Sequence, residues 1–327
     1  MTAVQSETLP LILKEDNKDC LAKAKTGTGK TLAFMIPTVE RILHKKGGSG
    51  RFGNNNNNGG GGEMDVRCLV ISPTRELAQQ ITTETEKLLT FHKPALRNVT
   101  TFVGGTNKNK DVRALRGQMP IVVATPGRLL DHLQNSNLAQ RMSNLDTLIL
   151  DEADQLLDMG FRPDIERILG LLKPSFGSRQ TLLFSATIPD DVNAIAKIAC
   201  RPDMNFVDTV GEEEQTHLHV QQQVMISSQE ELILDLFSIM ERETTAAPYK
   251  IIVFFTTARL TGFMAEMFDS GSNMTGYKVL EIHSRKAQKQ RERSSEQFRK
   301  QKNAIMFSSD VTARGMVSEN LLEFMHA

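Results

Sequence analysis

The 327-residue sequence carries no excess charge, since 39 Lys and Arg balance 39 Asp and Glu. That excludes a histone-like polycation, so any nucleic-acid contact has to come from a local basic surface rather than from the whole molecule. No apolar run approaches the ~20 residues that a membrane span needs, and no membrane partner is expected. The first residues lack both the basic-then-apolar order of a secretory leader and the Arg- and Ser-rich pattern of an organellar one. A targeting signal would have to sit on an extension before Met1. Three cysteines, Cys20, Cys68 and Cys200, stand far apart, without the C-x-x-C spacing of a zinc or redox site. Free, buried thiols in a reducing compartment are expected, and with them an intracellular, soluble protein whose compartment the sequence leaves open.

What is present alternates. Short apolar runs at 20–23, 68–72, 98–103, 121–124, 147–150 and 181–184 are each followed by loop residues and a helix-compatible stretch. This is the signature of an α/β protein with a parallel sheet and crossover helices. The length favours two domains. The Gly- and Asn-rich stretch 47–62 offers no apolar area to offset its ordering entropy and reads as a surface insertion. A polar, acidic stretch then places a boundary: a first domain over 1–210, a linker over 211–218 and a second domain over 219–327. The second begins with an expected strand at 219–226, a helix at 229–241 and a strand at 251–255.

The strongest chemical signal is Ala24-Lys25-Thr26-Gly27-Thr28-Gly29-Lys30-Thr31, placed between the first strand and a helix. This is the P-loop spacing A-x-x-x-x-G-K-T, in which small residues let backbone N–H groups face phosphate oxygens. The helix N-terminus adds its dipole. Lys30 would meet the β- and γ-phosphates, and the Thr31 hydroxyl a Mg²⁺ ion. Such an ATPase also needs acidic residues at the end of a neighbouring buried strand. Asp151 and Glu152, after the run Thr147-Leu148-Ile149-Leu150, supply them: Asp151 as the Mg²⁺ partner through water, Glu152 as the base or water-orienting group. Taken singly, a Gly-rich turn can be only a turn and an acidic strand end only a solvated loop.

Together with the spelling Asp151-Glu152-Ala153-Asp154, further stretches in order give a close resemblance to the DEAD-box family of RNA helicases. Gln5 matches the family's adenine-reading glutamine. Pro73-Thr74-Arg75-Glu76-Leu77-Ala78, Gly104-Gly105 and Thr125-Pro126-Gly127-Arg128 match three RNA-contacting motifs, and Ser185-Ala186-Thr187 the coupling motif. Ile252-Val253-Phe254-Phe255-Thr256-Thr257 and Gln288-x-x-Arg291 look like second-domain motifs, and Ser309-Asp310-Val311-x-Ala313-Arg314-Gly315 begins the next. The resemblance implies two RecA-like parallel-sheet domains, the second incomplete, with ATP and Mg²⁺ as cofactors and single-stranded RNA as partner. It also implies that ATP and RNA bind across the cleft between the domains, that closure opens a short duplex, and that hydrolysis allows reopening.

The residue types suit these roles. Backbone amides at Gly104, Gly105 and Gly127, the Thr125 hydroxyl and the guanidinium groups of Arg75 and Arg128 fit phosphates and 2′-hydroxyls, which carry no sequence code. Ser185 and Thr187 are placed to hydrogen-bond Asp154 and so link the nucleotide site to the rest of the domain. Between His283 and Lys302 lie eight Lys and Arg, Arg285 and Arg291 among them, against two acids, a local basic helix fit to track a phosphate backbone. A solvated helix face is the plainer reading of the same charges, and His283 fits equally a packed strand-end residue. The sequence departs from the family where its ribose-contacting aspartate is replaced by Val317 and where the H-R-x-G-R-x-G-R arginine motif does not follow. Impaired turnover is therefore expected of the chain as it stands. The alternative to a helicase is an RNA- and ATP-binding protein with little or no turnover.

Overall fold

The computed structural model describes residues 1–14, 16–44, 66–92, 96–106, 108–210, 223–228, 230–245, 248–270, 278–309 and 321–325. The 47–62 insertion, the 211–218 linker and the stretch holding Asp310 to Gly315 and Val317 lie outside the described residues. The chain divides into two compact units, Met1–Gly211 and Glu212–Ala327.

In the first unit seven strands form one sheet: β1 (Cys20–Lys23), β2 (Cys68–Ile71), β3 (Val99–Phe102), β4 (Ile121–Ala124), β5 (Thr147–Leu150), β6 (Gln180–Ser185) and β7 (Asn205–Asp208). Their order is β3-β4-β2-β5-β6-β1-β7, and every pair is parallel. Because helices cover both faces, the central strands β2, β4, β5 and β6 are buried at every position rather than at every second one, and mostly apolar. Successive residues still point to opposite sides. Leu69, Ile71, Val122, Leu148 and Leu183 enter one core layer, while Val70, Val123, Ile149 and Leu182 enter the other. Helix Lys30–His44 closes the second layer, with the rings of Phe34 and Phe184 meeting edge to face at 5.3 Å. The second unit carries β8 (Lys250–Phe255), β9 (Val279–Ile282), β10 (Ala304–Ser309) and β11 (Leu321–Met325) in the parallel order β11-β8-β10-β9. Both units are thus the parallel α/β sheets that the RecA-like expectation calls for.

Two sequence expectations need correction. The strand at 219–226 is not formed at residues 223–226, where Val224 and Ile226 are almost fully exposed; residues 219–222 lie outside the described residues. Apolar alternation gives a strand only where a neighbouring ladder accepts its N–H and C=O groups, and these residues pair with no strand among the described ones. Conversely, β7 lies within the 1–210 domain but is not among the expected strands. Only Val207 of its four residues is buried, as suits an edge strand, so it leaves no apolar run to detect. The helix expected at 229–241 forms as Leu232–Thr244.

All three cysteines are free and buried. Burial pushes the Cys20 thiol up to about 12 and raises Cys68 and Cys200 as well, leaving all three unreactive as thiolates. Among the described residues no helix is long and apolar enough to cross a membrane.

One buried carboxylate ties three strands together at the end of the sheet opposite the motifs. Asp19, just before β1, accepts from Thr181 N at 2.7 Å and Arg201 N at 2.6 Å, and from the Arg201 guanidinium at 3.0 and 3.2 Å. Its own carbonyl accepts from Asn205 N at 2.8 Å. Asp19→Ala leaves Thr181 N, Arg201 N and the Arg201 guanidinium without their carboxylate acceptor and is expected to cost about 3–5 kcal/mol in urea denaturation; a loss below ~1 kcal/mol would show the cluster to be dispensable.

Candidate nucleotide and nucleic-acid site

A parallel sheet presents the C-terminal ends of all its strands along one edge, where open α/β proteins bind ligands. Here the β5-β6-β1 half of that edge carries the P-loop, Asp151 to Asp154 and Ser185 to Thr187. The β3-β4-β2 half carries Pro73 to Arg75, Gly104-Gly105 and Thr125 to Arg128.

After β1 the chain turns through Gly27 (φ 76°) and Gly29 (φ 87°), both in the left-handed region that glycine alone enters without strain. Gly29 is further constrained by contact: a Cβ there would lie 2.7 Å from Gln5 Nε2. The loop is held from outside by Ala24 N, which donates to Ser185 O at 2.8 Å, and from within by Thr28 Oγ1, which donates to Lys25 O at 2.8 Å. Gln5 serves two partners. Its Nε2 donates to Gly29 O at 3.2 Å and its Oε1 accepts from Thr2 N at 3.1 Å, capping helix Ala3–Ile12. Thr26 is exposed and Thr31 half-buried in the first turn of the helix that follows.

Lys30 is 7% exposed, and its ammonium is buried without a hydrogen-bond partner. An unpaired buried cation costs several kcal/mol unless a ligand completes it. Close by, burial raises the Asp151 carboxyl above its ordinary range, with the Lys30 charge and the 3.0 Å bond from Glu152 N opposing that shift. Glu152 sits at φ 50°, ψ 55°, a left-handed conformation costing a non-glycine residue on the order of 1–3 kcal/mol. This sharp turn separates β5 from helix Ala153–Asp158. Asp154 bridges to the neighbouring strand end: its N–H donates to Ser185 Oγ at 3.0 Å, while its Oδ2 accepts from Thr187 N and Thr187 Oγ1, both at 2.9 Å.

On the other half of the edge, Pro73 is buried and Thr74 caps helix Arg75–Leu88, its hydroxyl accepting from Leu77 N at 3.2 Å. The Arg75 guanidinium lies against the Gly104-Gly105 turn: a Cβ at Gly104 would stand 3.4 Å from Arg75 Nη2, and one at Gly105 (φ 75°) would fall on Nη1. Thr125 begins helix Pro126–Asn135, with Pro126 in the first turn and open space around Gly127. Arg128 differs from the picture the sequence suggests, being buried and facing Asp111 and Thr106 rather than solvent. Asp111 and His132, which complete this cluster, were not singled out by sequence reasoning. The four-residue spacing of Arg128 and His132 on one helix was the available signal.

In the second unit, Arg285 is exposed and its N–H donates to His283 Nδ1 at 3.3 Å. Arg291 is buried in helix Gln288–Lys300. His283 is a packed residue whose ring titrates lower than usual because it is buried, the Glu281 carboxylate opposing that shift. Arg259, Phe263, Glu281, His283, Arg285 and Lys286 line a cavity of about 570 Å³ beside β9. Of the basic residues around this helix, Lys286 pairs with Glu281 and Lys300 with Glu296, while Arg285, Lys289, Arg293, Arg299 and Lys302 are exposed.

Comparison with known proteins agrees with this layout. The DEAD/DEAH box helicase family matches residues 2–195, and the helicase conserved C-terminal domain matches residues 228–321. DEAD-box ATP-dependent RNA helicase 26 of Oryza sativa subsp. japonica is 42% identical over 320 residues, covering 97% of this chain and 55% of the relative. DEAD-box ATP-dependent RNA helicase 25 of Arabidopsis thaliana is 43% identical over 320 residues, covering 97% and 53%. The chain therefore spans about half the length of the curated relatives it matches. The structure of Mss116p bound to ssRNA and AMP-PNP superimposes with a TM-score of 0.83 at 32% identity, covering 99% of this chain and 63% of that one. With the family matched from residue 2 through the D-E-A-D residues and beyond, this chain belongs to the DEAD/DEAH box helicases, in their DEAD-box form.

Proposed function

We propose that the chain acts as an RNA-dependent ATPase of the ATP-dependent RNA helicase type, with nucleotide held on the β5-β6-β1 half of the first unit and RNA backbone on the β3-β4-β2 half. The observation that carries this reading is the Lys30 ammonium, buried and without a hydrogen-bond partner beside a glycine turn whose Gly29 sits at φ 87°, where a side chain would be strained. Phosphate oxygens are the group that such a cradle lacks.

In this reading Lys30 offsets charge on the β- and γ-phosphates while the loop from Ala24 to Thr31 lends its N–H groups. Glu152 orients a water molecule and takes its proton as the water oxygen bonds to the γ-phosphorus. The bond from that phosphorus to the bridging oxygen breaks, and ADP leaves with the electron pair. The Asp151 carboxylate and the Thr31 hydroxyl are hard oxygen donors suited to Mg²⁺, and a cation would offset the burial that Asp151 now bears. They would hold the ion, which when bound neutralises negative charge on the phosphate oxygens. Asp154, through Ser185 and Thr187, would pass the state of this site to the neighbouring strand end. Gln5, bonded to Gly29, would tie nucleotide recognition to the shape of the loop.

RNA would meet Arg75, the Gly104-Gly105 amides and the N-terminus of helix Pro126–Asn135 in the first unit, and Arg285 in the second. A structural relative supports this partner, since Mss116p was solved with ssRNA and AMP-PNP and, separately, with ssRNA and UDP-BeF.

The ATPase reading is tested by nucleotide binding and RNA-stimulated turnover in two variants. Lys30→Ala should lose nucleotide binding. Glu152→Gln should retain it and turn over about 10²–10⁴-fold more slowly; undiminished turnover would show that Glu152 does not activate the water.

Asp151 provides a check that needs no activity. Its folded-state value is raised, so its contribution to stability is complete below the unfolded value and is lost as pH rises through the folded one. Asp151→Asn should therefore raise the melting temperature of the ligand-free protein at pH 7, by about 2–4 °C for each kcal/mol recovered, while weakening Mg²⁺-dependent nucleotide binding. The thermal gain should vanish near pH 3.

For RNA, affinity should vary little among single strands of different sequence and fall steeply with salt. Arg75→Ala should weaken all strands alike and reduce the salt slope by about 1. A strong preference for one sequence in fluorescence anisotropy titrations would contradict backbone recognition.

A further inference from the structure

We propose that Arg128 acts on RNA indirectly, as a positioning residue for the Gly104–Thr106 turn, and that Asp111 and His132 are the residues that hold it in place. This rests on the reading of the β3-β4-β2 edge as an RNA surface and adds two residues to it.

The geometry is that of a closed cluster. Arg128 is 9% exposed, Asp111 3% and His132 7%. Arg128 Nη2 donates to Thr106 O at 3.1 Å, and Nη1 forms an ion pair with Asp111 Oδ2 at 3.2 Å without the alignment of a hydrogen bond. The same carboxylate oxygen faces His132 Nε2 at 3.0 Å. The His132 ring packs on Phe102, the last residue of β3, with centroids 4.7 Å apart. Helix Lys108–Leu115, which carries Asp111, follows directly on the turn that Arg128 grips, so carboxylate and guanidinium together fix where that turn sits.

Three physical consequences follow. Arg128 and Asp111 are buried side by side, so the positive charge is largely compensated and has little left to offer a phosphate. Thr106 is fixed twice, through its carbonyl by Arg128 and through Oγ1, which donates to Val103 O at 2.8 Å. The Arg75 guanidinium lies on the Gly104-Gly105 side of the same turn. The backbone amides there are thus aimed before RNA arrives, which lowers the ordering cost of binding. Arg128 and His132, four residues apart on helix Pro126–Asn135, reach one Asp111 oxygen, so the imidazole limits how the carboxylate can rotate.

Direct and indirect roles predict opposite signs. If Arg128 gripped a phosphate, removing the neighbouring carboxylate would free its charge, and Asp111→Asn would bind RNA more tightly. A positioning role predicts weaker binding. The experiment measures single-stranded RNA affinity as a function of salt for the parent chain and for Asp111→Asn, His132→Gln, Arg128→Lys and Arg128→Gln, with nucleotide affinity as the control for an intact first unit. Amide exchange of residues 104–106 is followed without RNA. Expected are a loss of RNA affinity of about ten-fold or more in Asp111→Asn, equivalent to ~1.4 kcal/mol, an unchanged salt slope and nucleotide affinity, and faster exchange at 104–106. Arg128→Lys keeps the charge but lacks the planar fork that spans two acceptors, and should fail as Arg128→Gln does. Tighter or equal binding in Asp111→Asn, or parent-like binding in Arg128→Lys with a slope lower by about 1 in Arg128→Gln, would overturn the proposal. Should Asp111→Asn fail to fold, the two Arg128 variants decide alone. A parent chain that binds no RNA would refute the RNA surface itself, while amide exchange would still decide whether the cluster holds the turn.

Discussion

Everything at the candidate site depends on seven strands pointing the same way. In a parallel sheet, each loop that leaves a strand's C-terminal end emerges on the same edge. The register fixes their level as well: Ile71 pairs with Leu150, Leu150 with Leu183, and Leu183 with Leu21, so strands far apart in sequence end beside one another. The order β3-β4-β2-β5-β6-β1-β7 then sorts the loops by chemistry. Loops suited to phosphate and cation lie together on one half, and loops suited to a nucleic-acid backbone lie together on the other. Strands β2 and β5 are the seam.

The first half holds several arrangements that no fold would adopt for stability alone. An ammonium is buried without a hydrogen-bond partner, a carboxyl is pushed above its ordinary range by burial, and Glu152 occupies a left-handed backbone conformation. Each is unfavourable in the free protein, and such arrangements gather at functional sites. The scaffold carries them because the sheet beneath is buried along its central strands and because clusters such as Asp19 with Arg201 lock its opposite end. The bonds from Asp154 to Ser185 and Thr187 join the strained strand end to its neighbour.

Arginine illustrates how partners, rather than residue type, set function. Arg75 rests on a glycine turn at the candidate surface. Arg179 is fully enclosed, donating to Leu172 O at 2.8 Å and Ser175 Oγ at 3.1 Å, and its burial lowers its pKa to about 10. Arg201 faces Asp19, Arg291 is buried in its helix, and Arg128 is matched to Asp111. All five carry the same charge, yet burial and a matched carboxylate leave such a group little field with which to attract a distant phosphate.

The sequence by itself determined the α/β class, the strands on which the site is built, the phosphate loop and the acidic residues after β5. Those features are local: a strand is an apolar run, and a P-loop is a fixed spacing of small residues between a strand and a helix. Even the partners of Asp154 could be read, because Ser185-Ala186-Thr187 resembles the family's coupling motif and puts short hydroxyl side chains at a strand end. Tertiary structure alone decided what depends on neighbours distant in the chain. An edge strand with one buried residue, β7, leaves no run to detect, whereas the alternation near 223–226 looks like a strand but pairs with none among the described residues. Arg128 reads in sequence as a surface cation. It becomes a buried clamp because helix Lys108–Leu115 brings Asp111 against it, and a pairing between two separate helices is set by packing, which no local pattern encodes.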